Sequence, residues 1–157
     1  MKLRIIAVVT AVLMIFVFSS VLLAADKVER NWPESVDKYV ATAKKSIKVI
    51  DMQAFKKIVD SKGTAVLLDV REPDEYKSGR VPGAVNVPRG LVEFRIWKTF
   101  LGYPAKTDFN KKIYVYCALG GRAVLATKSL KDLGFTDVTA VDMKMADWIK
   151  ARNPVER

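Results

Sequence analysis

Short apolar segments alternate with amphipathic segments along most of this 157-residue chain, and this alternation restricts the fold more than any other feature. Runs such as TAVLLDV (64–70) and IYVYC (113–117) have the composition of strands buried on both faces of a sheet. The connections between the runs are too long for β-hairpins. The sequence therefore predicts an α/β fold, with a mostly parallel sheet of about five strands flanked by helices on both faces.

The same patterns give approximate bounds for the elements. Strands are predicted at 47–50, 64–70, 84–88, 113–117 and 138–141, and helices at 31–47, 52–62, 72–78, 91–100, 121–133 and 145–152. Gly63 is expected to end the second helix, and Asp51 to cap its start. In the fourth helix, apolar residues at Leu91, Phe94, Trp97 and Leu101 have a spacing that suits a helix.

The N-terminus has the composition of an export segment. Two positive charges in residues 1–4 precede an almost unbroken apolar run, and small residues follow. Residues 1–25 are either a cleaved signal peptide or an uncleaved membrane anchor, in which 5–25 is the tether. Both alternatives place the folded part outside the cytoplasm, in or facing a bacterial periplasm. A helical extension (26–45) and one folded domain (46–157) are expected to follow.

The chain is basic, with 27 Lys and Arg against 17 Asp and Glu, and a formal net charge of +10. This excess favours anionic ligands or partners. The charges are scattered, however, without a block of like sign and without interleaved aromatic residues. Nucleic-acid binding is therefore not expected.

Cys117 is the only cysteine, and the sequence contains no histidine. An internal disulfide is excluded, as are a Cys/His nucleophile pair, a Ser/His triad and a histidine zinc site. A lone cysteine after an apolar strand is often a small buried hydrophobe. An unpaired thiol in an exported domain instead points to intermolecular pairing or to a reactive site.

The residues after Cys117 favour the reactive site. Loops beyond the carboxyl ends of parallel strands bind ligands, and backbone N–H groups at a helix start stabilise anions such as a thiolate. Gly120 and Gly121 permit a tightly curled backbone, and Arg122 adds a positive charge with donors suited to an oxyanion. Ala118 and Leu119 offer no polar side chain, so most donors must come from the backbone.

Two separate segments resemble the rhodanese family of sulfurtransferases. LLDVREPDEYKSGRVPGAVNVP (67–88) is similar to its first signature, and YCALGGRA (116–123) is similar to its catalytic loop. LKDLGFTDVTAVD (130–142) and Trp148 match the closing strand and helix. The resemblance covers about residues 47–155 and implies the family fold.

The resemblance implies a ping-pong sulfur transfer. The Cys117 thiolate would take sulfur from a small anionic donor such as thiosulfate and hold it as a persulfide. A thiol or protein cysteine would then accept it, without any metal or organic cofactor. Residues 118–122 would bind the substrate and the persulfide, and Asp69 and Arg71 would support the loop.

Other functions remain open from the sequence. The scaffold could serve as a non-catalytic sulfur carrier, a sensor or a partner-binding module. A phosphatase or arsenate reductase is disfavoured because related phosphatases place five residues between cysteine and arginine, whereas four lie between Cys117 and Arg122. Arg80, Met143 and Lys144 depart from the family pattern, which often has histidine at the first place and glycines at the others.

Overall fold

The computed structural model describes residues 32–100 and 107–157 of the chain. The chain divides into two compact units, 1–34 and 35–157, and the fold described below is that of the second. The predicted export segment, 1–25, lies outside the described residues, so its fate stays a prediction. In the described ranges, every helix is too short or too polar to cross a bilayer.

A single five-stranded sheet forms the centre of the domain. Its strands are β1 (Lys48–Asp51), β2 (Val66–Asp69), β3 (Val85–Asn86), β4 (Ile113–Tyr116) and β5 (Val138–Asp142). They lie in the order β1-β5-β4-β2-β3, and every pairing between them is parallel. This confirms the predicted α/β fold. Strand β4 is the third of the five in this order, so it lies at the middle of the sheet.

Within the described residues, six helices precede, connect or follow the strands. They are α1 (Glu34–Lys44), α2 (Met52–Asp60), α3 (Pro73–Ser78), α4 (Val92–Phe100), α5 (Gly121–Asp132) and α6 (Met145–Lys150). A 3-10 turn, Arg89–Leu91, leads into α4. The Asp51 side chain accepts a hydrogen bond of 2.7 Å from the Ala54 N–H, which confirms the predicted cap of α2.

The helices cover both faces of the sheet, because side chains alternate along each strand. Val115 on β4 packs with the buried residues of α4 and α5, among them Ile96 and Leu130. Its neighbour Tyr116 packs on the other face with Phe55 of α2 and Trp148 of α6. The α1 helix joins the first face through buried Ala43, which contacts Val124 and Ala140.

One local prediction is wrong. Helix α2 ends at Asp60 rather than next to Gly63, and Lys62 adopts the left-handed backbone (φ 48°) that glycine usually supplies. The predicted fourth helix is confirmed as α4. Val92 and Ile96 are buried and Leu91 and Trp97 pack against the core, whereas Phe94 is 76% exposed. The spacing of Val92 and Ile96 and the spacing that includes Phe94 both fit a helix. The packing of α4 against the sheet decides which of these residues are buried. Leu101 lies outside the described residues.

Candidate active site

Cys117 directly follows β4, which ends one residue earlier than predicted, at Tyr116. The thiol is free and the residue is 1% exposed. The N–H of Gly120 donates a hydrogen bond of 3.1 Å to the Cys117 sulfur. Residues 117–122, called the cysteine loop below, therefore curl back so that a backbone donor faces the sulfur atom. Such a donor stabilises a thiolate better than a thiol.

Gly120 gives the cysteine loop its curvature. Its backbone is left-handed (φ 88°), and a Cβ atom there would lie 3.1 Å from Asp142 Oδ1. The Gly120 carbonyl accepts a hydrogen bond of 3.0 Å from Val124 in the first turn of α5. The Met145 N–H, at the start of α6, donates a bond of 2.9 Å to the Ala118 carbonyl. The loop is thus held from two helices at once.

The mouth of the loop is apolar. Ala118 is half-buried, and the Leu119 side chain is 47% exposed. Gly121 is the first residue of α5, a helix of 12 residues. The first N–H groups of a helix have no acceptor within it and create a partial positive charge. The anion-stabilising groups of this loop are therefore backbone amides rather than side chains.

The guanidinium group of Arg122 binds a carboxylate rather than the sulfur. Its Nη1 and Nη2 atoms donate to the two Glu75 oxygens of α3 at 2.8 and 2.9 Å, and Glu72 lies 3.8 Å from Nη1. The hydrogen bond with Glu75 raises the pKa of Arg122, and the bond with Arg122 lowers the pKa of Glu75. The positive charge expected at the loop is thus largely compensated.

Asp69 and Arg71 form a buried ion pair at the end of β2. Arg71 donates from Nε and Nη2 to the Asp69 carboxylate at 2.6 to 3.0 Å, and from Nη2 to the Gly79 carbonyl at 2.8 Å. Burial opposes the charge, yet the hydrogen bond and charge of Asp69 raise the pKa of Arg71. In the described part of the chain, neither side chain hydrogen-bonds to the cysteine loop.

Tyr116 links this ion pair to the strand that precedes Cys117. Its hydroxyl accepts a hydrogen bond of 3.1 Å from the Val81 N–H, and the Arg71 guanidinium lies 5.8 Å from its ring centre. Burial, followed by the charge of Asp69, raises the pKa of Tyr116, so the hydroxyl stays neutral. Asp69 and Arg71 thus interact with Tyr116, the residue before Cys117, and their supporting role stays a prediction.

The residues that depart from the family pattern take structural places. Arg80 donates to Glu156 Oε1 at 2.6 Å and lies 4.8 Å from the Tyr76 ring centre. Met143 is buried in the core around Trp148. Lys144 is half-buried and directly precedes α6, next to the bond that fixes Ala118.

Three residues near the loop had no role in the sequence-based prediction. Glu75 compensates Arg122, Asp142 packs against Gly120, and Lys44 pairs with Asp142 at 2.6 Å. Glu75 belongs to the first signature segment, which could have suggested a role. Lys44 and Asp142 are 98 positions apart, and no local pattern joins them.

A family model described as the rhodanese-like domain matches residues 51–151. The match includes the cysteine loop and leaves out α1.

Several curated relatives have names that refer to sulfur chemistry. YrkF of Bacillus subtilis, named for an inferred sulfur-carrier role, is 38% identical over 103 residues, which are 66% of this chain and 51% of YrkF. This chain thus spans about half the length of YrkF. The thiosulfate:glutathione sulfurtransferase of Saccharomyces cerevisiae is 28% identical over 130 residues, 75% of this chain and 93% of that protein.

Solved structures share the fold. The polysulfide-sulfur transferase homodimer of Wolinella succinogenes is 26% identical with a TM-score of 0.62, covering 78% of this chain and 87% of its own. RPA3614 of Rhodopseudomonas palustris, described as a candidate tyrosine phosphatase, is 26% identical with a TM-score of 0.66, covering 83% and 98%. Two different chemistries are thus attached to similar structures, so the fold alone does not decide between them.

Proposed function

This chain belongs to the rhodanese family, and from this premise we propose that it is a sulfurtransferase that carries sulfane sulfur as a persulfide on Cys117. The observation that carries the proposal is the Gly120 N–H, which lies 3.1 Å from a free, buried cysteine sulfur at a helix start. That donor favours a thiolate nucleophile in a chain that has no histidine to act as a base.

The transfer takes two displacement steps. In the first, the Cys117 thiolate attacks the outer sulfur of thiosulfate or a related donor; a Cys–S–S bond forms, the donor S–S bond breaks, and sulfite leaves with the electron pair. In the second, a thiolate acceptor attacks the outer sulfur and Cys117 leaves as the thiolate. Backbone amides of the cysteine loop stabilise both anionic forms. Neither step needs a metal or an organic cofactor.

The physiological acceptor in this proposal is a thiol or a protein cysteine, and the compartment is outside the cytoplasm because of residues 1–25. Cell fractionation tests the compartment, and the intact mass of the protein from each fraction tests whether residues 1–25 are cleaved. Recovery of the uncleaved chain from the cytosolic fraction alone would contradict this placement.

Loading of Cys117 tests the function itself. Purified full-length protein is incubated with thiosulfate, and intact-mass measurement is expected to show the gain of one sulfur atom, removed by cyanide as thiocyanate. Cys117→Ser is expected to gain nothing, which assigns the adduct because the chain has one cysteine. A folded, reduced protein that neither gains sulfur nor yields thiocyanate would reject the proposal.

A sulfur carrier with little turnover is the second candidate, and the Arg122–Glu75 pair favours it. Because Glu75 compensates the only cation of the loop side chains, a dianion such as thiosulfate gains less attraction there. A carrier would accept sulfur from an organic persulfide or polysulfide in one turnover while thiosulfate turnover stays slow. Comparing the two donors in single-turnover loading therefore separates carrier from thiosulfate enzyme.

A phosphatase is the remaining alternative. Its activity would appear as hydrolysis of an aryl phosphate that Cys117→Ser and Arg122→Met both abolish. The bidentate bond to Glu75 commits both terminal nitrogens of Arg122, which a phosphate would need. We therefore expect no such hydrolysis.

A further inference from the structure

Helix α1 lies beside the cysteine loop although it precedes the family match at residue 51. Val40 packs with the cluster of Ala43, Val124 and Ala140. A Cβ atom on Gly121, the first residue of α5, would lie 3.7 Å from Val40 Cγ2. The apolar face of α1 therefore contacts the helix start that follows the loop, and this fixes the polar residues of α1 relative to the site.

Lys44, in the last turn of α1, reaches the end of β5. Its Nζ atom lies 2.6 Å from Asp142 Oδ2. The other carboxylate oxygen, Oδ1, is 3.1 Å from the place where a Gly120 Cβ would be. Gly120 in turn donates to the Cys117 sulfur at 3.1 Å. A single glycine thus separates the Asp142 carboxylate from the nucleophile.

A carboxylate that is separated from the sulfur by one glycine opposes ionisation of the thiol unless a cation compensates it. The other charges around the sulfur are already committed, since Arg122 is paired with Glu75 and lies near Glu72. Asp51 is the register partner of Asp142, but its side chain accepts the Ala54 N–H. Lys144 follows two residues after Asp142 and directly precedes α6. Lys44 is the cation that contacts the Asp142 carboxylate.

We propose that Lys44 is a positioning residue that compensates Asp142 and so sets how readily Cys117 ionises. The proposal deepens, and for its biological meaning rests on, the sulfur transfer proposed above. It assigns a role at the site to a helix outside the family match. The effect runs through charge, so it differs from the packing contribution of Val40 and Ala43.

The test is a pH titration of the Cys117 thiolate, followed by its ultraviolet absorbance in the full-length protein without any sulfur donor. Cys117→Ser supplies the baseline, and the single cysteine assigns the signal. In Lys44→Met we expect the titration midpoint to rise by about half a pH unit, which leaves about three-fold less thiolate below the midpoint. The matched control Lys45→Met removes an exposed neighbouring lysine and is expected to leave the midpoint unchanged.

Two further variants keep the test decisive. Lys44→Met combined with Asp142→Asn is expected to restore the wild-type midpoint, and Asp142→Asn alone, which leaves α1 intact, is expected to lower it. High salt should shrink both shifts because the charges are exposed. An unchanged midpoint in Lys44→Met and Asp142→Asn would overturn the proposal, as would equal shifts in Lys44→Met and Lys45→Met.

The titration is independent of sulfur transfer. If the protein shows the expected shifts but gains no sulfur from any donor, the role of Lys44 is supported and the proposed function is rejected. If the protein transfers sulfur but its titration midpoint does not change in the Lys44 and Asp142 variants, the function is supported and this inference is rejected.

Discussion

Two arginine–carboxylate pairs follow neighbouring strands of the sheet, and they differ in burial. The Arg71 and Asp69 side chains, after β2, are 5% and 0% exposed. Those of Arg122 and Glu75, beside the loop after β4, are 33% and 37% exposed. A buried pair cannot lose one member without leaving a charge in the interior, whereas a half-exposed pair can exchange its partner for water. The first pair therefore supports the fold, and the second adjusts the charge of the site.

Removing one member of the buried pair is expected to have the largest effect on stability. Asp69→Ala should lower the free energy of unfolding by about 3–5 kcal/mol, because the Arg71 charge stays buried without its partner. Urea denaturation measures this loss. The control Asp132→Ala, which breaks the exposed pair with Lys128, should cost about 0.5 kcal/mol or less. Equal losses in the two variants would remove the distinction drawn from burial.

Gly120→Ala is expected to affect both stability and chemistry. The left-handed backbone and the 3.1 Å approach of Asp142 Oδ1 strain any side chain there, at a cost of about 1–3 kcal/mol. Because relief of the strain moves the N–H that faces Cys117, sulfur loading should fall by about ten-fold or more. Gly121→Ala is the matched control, since its Cβ would make only an ordinary 3.7 Å contact with Val40. Similar sulfur loading in Gly120→Ala and Gly121→Ala would argue against a specific role of the Gly120 backbone in loading.

Glu75→Gln is expected to change substrate use more than stability. The half-exposed pair should contribute about 1 kcal/mol or less to the free energy of unfolding. Removing the carboxylate charge leaves Arg122 with only the more distant Glu72 carboxylate, so the KM for thiosulfate should fall a few-fold. Glu72→Gln, whose carboxylate lies farther from Arg122 at 3.8 Å, should have a smaller effect. A rise in KM would mean that Glu75 supports the loop and does not restrain its charge.

Acid should erase the small contribution of the Arg122–Glu75 pair. The hydrogen bond from Arg122 lowers the pKa of Glu75 in the folded protein below its ordinary value of 4.5. The resulting stabilisation is fully present above 4.5 and is lost as the pH falls through the lowered pKa. The difference in melting temperature between wild type and Glu75→Gln should therefore shrink from pH 7 to pH 3. A difference that grows on acidification would contradict this assignment.

Much of the fold could be predicted because the strands are continuous apolar runs and the helices have clear caps, as at Asp51. The buried face of α4 could not be predicted, because Phe94 and Ile96 belong to two different apolar spacings and both fit a helix. Cys117, Gly120 and Arg122 could be grouped because they lie in one short segment. Their partners Glu75 and Asp142 come from distant segments, and only the parallel order of β2, β4 and β5 brings those segments to one edge.

The burial of Cys117 affects which molecules can reach its sulfur. The thiol sulfur is almost inaccessible, but a sulfur atom bound to it would lie about 2 Å farther along the side chain. If Cys117 carries a persulfide as proposed, the reactive atom of the loaded protein lies one bond beyond the thiol of the empty protein. Under the proposed function, an acceptor would then need to reach this outer sulfur and not the buried thiol itself. Burial of Cys117 would therefore restrict direct access to the thiol more than access to a sulfur atom bound to it.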